Sequence, residues 1–279
     1  VKQVFFIVSS GRSGTQTLQR VLSTASDAEV HHEYLCTHVQ PLAMKYYLGI
    51  VPRGEACRQL SRLHGAAVDF SSHRHWGDSS NKLSWLIEPL AELFPQARFI
   101  HLLRDGRKVV SSFFHKLAEE CYQDSAWQAF VRWSLNPQLE REPPPEKRYW
   151  WPRPRDLTRF PLWQTWSRFE RLCFCWQETH QEIERALQIL PAERVWRIRL
   201  EDLVGDPREL ALLGEFLSLK LPEQAASLLR RPHNVHRPED YPLDEQQSAC
   251  FWRMCADTMQ RYGYQGEGEY RVNYHPDGW

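Results

Sequence analysis

Two short stretches hold the residue types that could grip a ligand anionic at both ends. The first, Val-Phe-Phe-Ile-Val-Ser-Ser-Gly-Arg-Ser-Gly-Thr-Gln-Thr-Leu at 4–18, runs an apolar segment into a turn of Gly, Ser, Thr and one Arg. The second, Arg-Phe-Ile-His-Leu-Leu-Arg-Asp-Gly-Arg-Lys-Val-Val-Ser-Ser at 98–112, repeats that plan. Each reads as a buried strand, a tight polar turn and a helix. A helix N-terminus offers unpaired N–H groups and the positive end of a dipole. Two such termini on one parallel sheet make two anion sites, and a ligand with phosphates at both ends fits them.

In the first stretch, Gly11 and Gly14 let the backbone curl around an anion. Ser13, Thr15 and Thr17 add hydroxyl donors, and Leu18, Val21 and Leu22 follow at helical spacing. The turn is close to the nucleoside-triphosphatase loop Gly-x-x-x-x-Gly-Lys-Ser/Thr but departs from it. Thr15 follows Gly14 where Lys would stand, and the cation, Arg12, comes before it. In the second stretch Arg104 closes the strand, at the edge where open α/β sheets put their ligands. The plain alternatives are a ligand-free Gly/Ser turn for the first and a surface Arg104–Asp105 ion pair for the second.

The rest of the chain must position these turns. Residues 31–48 read as a loop and a helix, and 66–70 as a strand. Leu83, Leu86, Ile87, Leu90 and Leu93 mark an amphipathic helix that Pro95 ends. Residues 124–161 read as irregular, with Pro143, Pro144 and Pro145 at their centre. A long helix follows over 169–190, a strand over 195–200, and helices near 207–219, 222–230 and 244–262. Alternating strands and helices predict an α/β class fold: a P-loop-like three-layer α/β/α domain with a central parallel sheet. An irregular stretch this long is expected to be a binding loop or lid, with Trp150, Trp151, Arg153 and Arg155 as acceptor contacts.

The chain has 279 residues, 42% of them hydrophobic, enough for one large α/β core. Formal net charge is zero, so bulk charge makes no case for nucleic acid or a membrane surface as partner. Most of the twelve Trp are expected in the core and some along a substrate cleft. Seven Cys without a Cys-x-x-Cys pair read as reduced thiols in a cytoplasmic protein. No apolar run reaches the roughly 18 residues of a membrane span. No signal peptide is visible, although a trimmed leader or anchor ahead of Val1 is compatible with the chain.

Together the two stretches resemble the sulfotransferase superfamily. Arg12-Ser-Gly-Thr15 looks like its 5′-phosphosulfate loop, and Arg104 with Ser112 looks like its 3′-phosphate motif. Leu93-Phe-Pro-Gln-Ala-Arg-Phe-Ile-His-Leu-Leu-Arg-Asp-Gly-Arg107, Phe169-Glu-Arg-Leu-Cys-Phe-Cys-Trp176 and Arg197-Ile-Arg-Leu-Glu-Asp-Leu203 resemble bacterial members. The likeness covers most of the chain, read as one domain over 1–279, and is weakest in a Pro/Trp-rich insert at about 119–165. It implies transfer of a sulfuryl group from 3′-phosphoadenosine 5′-phosphosulfate (PAPS) to an acceptor hydroxyl of a carbohydrate, lipid or small metabolite. Adenosine 3′,5′-bisphosphate is then the product, and no metal is required. Arg12, Ser13, Gly14, Thr15, Gln16, Thr17, Arg104, Ser112, Asn234 and Arg237 are the cofactor-binding residues it implies.

Sulfuryl transfer needs in-line positioning, a cation for the leaving phosphate oxygen, and a base for the acceptor's proton. Arg12 suits the first charge and Glu33 the proton; a Glu stands in a similar place in the tyrosylprotein branch. His32, His73 and His75 are the alternative bases. Two features depart from the family. The Lys-Thr-Pro-like segment of many relatives reads Asp78-Ser-Ser-Asn81 followed by Lys82, so Ser80 and Asn81 become the expected substrate contacts along with Trp150 and Trp151. Leu200 stands where many relatives have Tyr. A P-loop nucleotide kinase and a non-catalytic nucleotide-binding protein of the same fold are the rival readings.

Overall fold

The computed structural model describes residues 2–230 and 241–264. Five strands, β1 (Gln3–Val8), β2 (Ala28–His32), β3 (His75–Ser79), β4 (Arg98–Leu103) and β5 (Val195–Arg199), form one sheet in the order β2-β3-β1-β4-β5. Every neighbouring pair is parallel. The helices are α1 (Thr15–Leu22), α2 (Cys36–Tyr47), α3 (Arg53–Leu60), α4 (Ala66–Phe70), α5 (Ile87–Leu93), α6 (Gly106–Lys116) and α7 (Asp124–Leu135). They continue with α8 (Phe160–Thr165), α9 (Arg168–Leu187), α10 (Leu200–Gly205), α11 (Pro207–Leu217), α12 (Ala225–Leu229) and α13 (Glu245–Arg261).

Side chains on β1 alternate between two cores, as strand geometry requires. Val4, Phe6 and Val8 join the larger core with residues of α2, α3, α5, α6, α9 and α13. Phe5 and Ile7 join the smaller one with α1, α10, α11 and α12. The sheet is therefore covered on both faces, which explains the nearly continuous apolar runs of β1 and β4. β1 leads through α1 past β3 to β2, while β3 leads through α5 past β1 to β4. Right-handed crossovers in opposite directions put α1 and α5 on opposite faces. Winding thus reverses between β1 and β3, and the crevice for a ligand opens at their C-terminal ends.

Several elements differ from the sequence expectation. Residues 66–70 are the helix α4, reached from α3 through a π-helical turn, Ser61–Gly65. A short apolar run does not distinguish strand from helix. The missing strands are β2 and β3, whose polar residues hid them. Within the insert, α7 spans part of the stretch expected to be irregular. The insert's Trp127, Phe130, Trp133, Trp150 and Trp163 all belong to the larger core. Arg168 ties α9 to the end of α6 and the start of the insert: it donates to the carbonyls of Phe113, Phe114 and Leu117, at the C-terminal end of α6, and of Cys121. No helix among the described residues is long and apolar enough to cross a membrane.

Candidate functional site

The turn after β1 is braced from within. Ser13 Oγ donates to the Gly11 carbonyl at 3.0 Å, and Gly11 N–H donates to Ser9 Oγ at 3.0 Å. Ser84 fixes its start, accepting from Ser9 N–H at 3.0 Å and donating back to the Ser9 carbonyl at 2.8 Å. Gly14, at φ 89°, is the N-cap of α1, and no side chain caps the helix. A Cβ there would stand 2.8 Å from the Leu200 side chain, so Leu200 packs directly against the turn. Gly11 has φ 81°, and a Cβ on it would lie 3.0 Å from the Asn81 amide nitrogen. Asn81, expected as a substrate contact, thus stands beside the turn. Ser80 is buried; its Oγ accepts from Lys82 N–H at 3.2 Å.

The second turn meets the first. Arg104 Nη1 donates to the Arg12 carbonyl at 2.7 Å, and Arg12 Nε donates to Ser112 Oγ at 3.1 Å. The two expected anion motifs touch rather than stand at a distance. Burial, then the neighbouring Arg104 charge, lower the pKa of Arg12. Asp105 is fully buried and caps α6; its carboxylate pairs with Arg107 at 2.8 Å, not with Arg104 across a surface. Gln16 Oε1 and Arg104 Nε are buried without a hydrogen-bond partner among the described residues. The buried Ser13 hydroxyl is occupied inside the turn, Thr15 Oγ1 lies 3.3 Å from His32 Nε2, and Thr17 is buried in α1.

Glu33 follows β2 on the same edge of the sheet, its N–H donating to the Ser79 carbonyl at 3.1 Å. Lys82 Nζ donates to Oε1 of Glu33, and Lys147 Nζ lies 3.1 Å from Oε2. Burial alone would raise the Glu33 carboxyl; the charges of Lys82 and Lys147 and the Lys82 hydrogen bond outweigh it and hold the group at about 2. Enclosure draws the Lys82 ammonium down more than Glu33 holds it up. Lys147, half-exposed, ends above its ordinary value because Glu33 outweighs its partial burial. Arg12, Glu33 and Leu35 are three of the five non-glycine residues at positive φ among the described residues. Backbone strain of this kind gathers where a site holds its residues in place.

The alternative bases separate by position. His73 and His75 lie at the start of β3, at the opposite edge: His73 faces Glu29 at 3.6 Å, and the buried His75 bonds Gln3 at 2.9 Å. His32 alone of the three is at the edge that carries Glu33, its pKa lowered first by burial. Trp150 is buried against Phe130 and Trp133 and donates to the Pro144 carbonyl, so its ring packs the insert instead of lining a cleft. Trp151 is partly buried and meets Phe113 edge-on at 5.6 Å. A Cβ on Gly11 would lie 3.1 Å from the Phe113 ring. Asn234 and Arg237 lie outside the described residues. Lys82 and Lys147 were not among the sequence candidates; the only signal for Lys82 was its place directly after Asn81. No group of three or more His, Cys, Asp or Glu among the described residues is arranged to hold a metal ion.

Residues 4–141 match the sequence model of the Sulfotransferase family. The omega-hydroxy-beta-dihydromenaquinone-9 sulfotransferases Stf3 of Mycobacterium bovis and Mycobacterium tuberculosis are each 24% identical over 185 residues, 65% of this chain. The chain spans only 39% of the length of these relatives. Among solved structures, the sulfotransferase from Alicyclobacillus acidocaldarius has a similar fold, with TM-score 0.51, 16% identity, and coverage of 94% of this chain and 96% of that one. The sulfotransferase domain of the Synechococcus PCC 7002 olefin synthase matches at TM-score 0.50 and 16% identity, covering 96% of this chain and 98% of that one.

Proposed function

Because the chain belongs to the sulfotransferase superfamily, we propose that it moves a sulfuryl group from PAPS to the hydroxyl of a small-molecule, lipid or glycan acceptor. One observation carries this reading: Arg12, Arg104 and Ser112 meet beside the uncapped N-terminus of α1, across the β1/β3 crevice from Glu33. Two neighbouring guanidiniums with a buried orphan Nε suit a bisphosphorylated nucleotide. Arg12 and the first N–H groups of α1 would hold the phosphate oxygen that leaves, and Arg104 with Ser112 the 3′-phosphate. Asn234 and Arg237 stay proposed contacts from the resemblance. As the acceptor oxygen bonds to sulfur and the sulfur–phosphate oxygen bond breaks, Glu33 takes the acceptor's proton and Arg12 faces the charge left on the bisphosphate. Asn81 and Trp151 stand where the acceptor would arrive.

Transfer of ³⁵S from PAPS to a panel of hydroxylated sugars, lipids and phenols tests this reading, and a panel with no labelled product rejects it. A second reading has one observation in its favour: a carboxylate held at about 2 by two ammonium groups is a weak base, as suits a nucleotide binder without turnover. Such a binder takes up the bisphosphate tightly and labels nothing. A P-loop kinase instead predicts phosphate transfer from Mg²⁺-ATP, which the same acceptors incubated with γ-³²P-ATP score.

A further inference from the structure

The two oxygens of Glu33 are shared out. Oε1 accepts from Lys82, whose side chain is 9% exposed, and Oε2 faces Lys147, whose side chain is 48% exposed. Lys82 therefore stands on the protein side and Lys147 on the solvent side. An acceptor that comes from the solvent side to Oε2 of Glu33 meets the Lys147 ammonium there. The backbone beneath Lys147 is fixed: Gln40 Nε2, on α2, donates to the carbonyls of Lys147 and Trp150 at 3.2 Å each. Lys45, also on α2, pairs with Glu142 at 2.6 Å at the start of the same segment. A pinned backbone with a long, half-exposed side chain lets the ammonium swing while the segment stays put.

Resting on the assignment of Glu33 as base, we propose that Lys147 is a positioning residue that guards Glu33: its ammonium occupies Oε2 until the acceptor hydroxyl displaces it. The ion pair is partly solvated, so displacement is cheap. The guard keeps Glu33 ionised and aimed while the site is empty, and its departure makes Glu33 more basic, against the pull of Lys82 alone, as the acceptor arrives. The other charged or titratable groups around the pair are His32 and Cys36 near Glu33 in the chain, Lys82 after β3, and Glu120 at the start of the insert.

The test compares Lys147→Met and Lys147→Arg with the parent chain. Carboxyl ¹³C NMR of the protein without ligand follows the Glu33 titration. In Lys147→Met it rises by about one pH unit, the low end of what a neighbouring opposite charge does; in Lys147→Arg it stays. At pH 7.5, with PAPS saturating and 2-naphthol, n-octanol or glucosamine as acceptor, whichever turns over fastest, KM for the acceptor falls about two- to threefold in Lys147→Met. An unmoved titration, or a raised acceptor KM, overturns the guard. Glu33→Gln is run beside them. If it keeps full turnover, the base assignment fails, while the titration still reports on the Lys147 contact independently.

Discussion

Arg104 and Arg12 are joined by one hydrogen bond, from the Arg104 guanidinium to the Arg12 carbonyl at 2.7 Å. Arg12 reaches back with its own side chain to Ser112, on the helix that Arg104 introduces. Each turn thus holds the other. Arg12 also sits at φ 54°, a conformation that a tie on its carbonyl helps to keep.

Replacing Arg104 should therefore cost more than one phosphate contact. Arg104→Ala is expected to lose about 1.5–3 kcal/mol of adenosine 3′,5′-bisphosphate affinity by calorimetry. Lys cannot supply both the carbonyl tie and a second planar donor, so Arg104→Lys recovers only part. Normal affinity in Arg104→Ala would remove Arg104 from the nucleotide site.

The two turns together should discriminate between nucleotides. Adenosine 3′,5′-bisphosphate is expected to bind at least about tenfold more tightly than 5′-AMP, a gap of about 1.4 kcal/mol. Equal dissociation constants would leave the second turn without a phosphate to hold.

Glu33→Gln keeps shape and removes the basic group. Turnover is expected to fall by about 10²–10⁴, the usual worth of a general base, with PAPS affinity within about threefold. A parallel loss of affinity would make Glu33 a support for the turn. Full loss in His32→Ala, with little change in Glu33→Gln, would move the base to the neighbouring residue.

The same change tests the ion pair as a structural element. Glu33→Gln leaves the enclosed Lys82 ammonium without its carboxylate, and breaking a buried pair from one side costs about 3 kcal/mol or more. The double variant Glu33→Gln/Lys82→Met is expected to regain most of that loss in urea denaturation. If the single variant is as stable as the parent, the pair contributes nothing to folding.

The acid response follows from the direction of the Glu33 shift. Its pKa drops from an ordinary 4.5 to about 2 on folding. The stability this group contributes is complete above about 4.5 and is lost as pH falls towards about 2. Glu184 behaves alike: burial raises it, but the hydrogen bonds of His101 and Arg197 prevail and hold it at about 2. The urea midpoint should fall between pH 5 and pH 2.5, and fall less in Glu33→Gln. An identical acid slope in the two proteins would contradict the assignment.

The parts of this fold written in local pattern were legible. β1 and β4 are apolar runs that end in Gly turns, and α9 shows helical spacing behind a capping box of Ser167 and Glu170. β3 was not, because the residues His-Trp-Gly-Asp-Ser are buried by partners far away in sequence. The Phe5 ring lies where a Gly77 side chain would be, Asp78 meets His64 at 3.1 Å, and Ser79 Oγ donates to the Thr15 carbonyl. With β3 hidden, residues 66–70 were the nearest apolar run to read as the strand. Arg12, Glu33, Arg104 and Ser112 could be chosen from motif and spacing. That Lys82 and Lys147 converge on Glu33 is a tertiary fact: Lys82 was marked only by its place after Asn81, and Lys147 by nothing in the sequence.

The insert's place in the larger core has a bearing on how this segment can be re-engineered. Trp127, Phe130, Trp133, Trp150 and Trp163 pack with residues of α2 and α9, and Gln40 and Tyr47 of α2 bond carbonyls of Lys147, Trp150 and Arg153. Residues 119–165 are thus no detachable cassette. A chimaera that exchanges this insert would have to carry the facing surfaces of α2 and α9 with it.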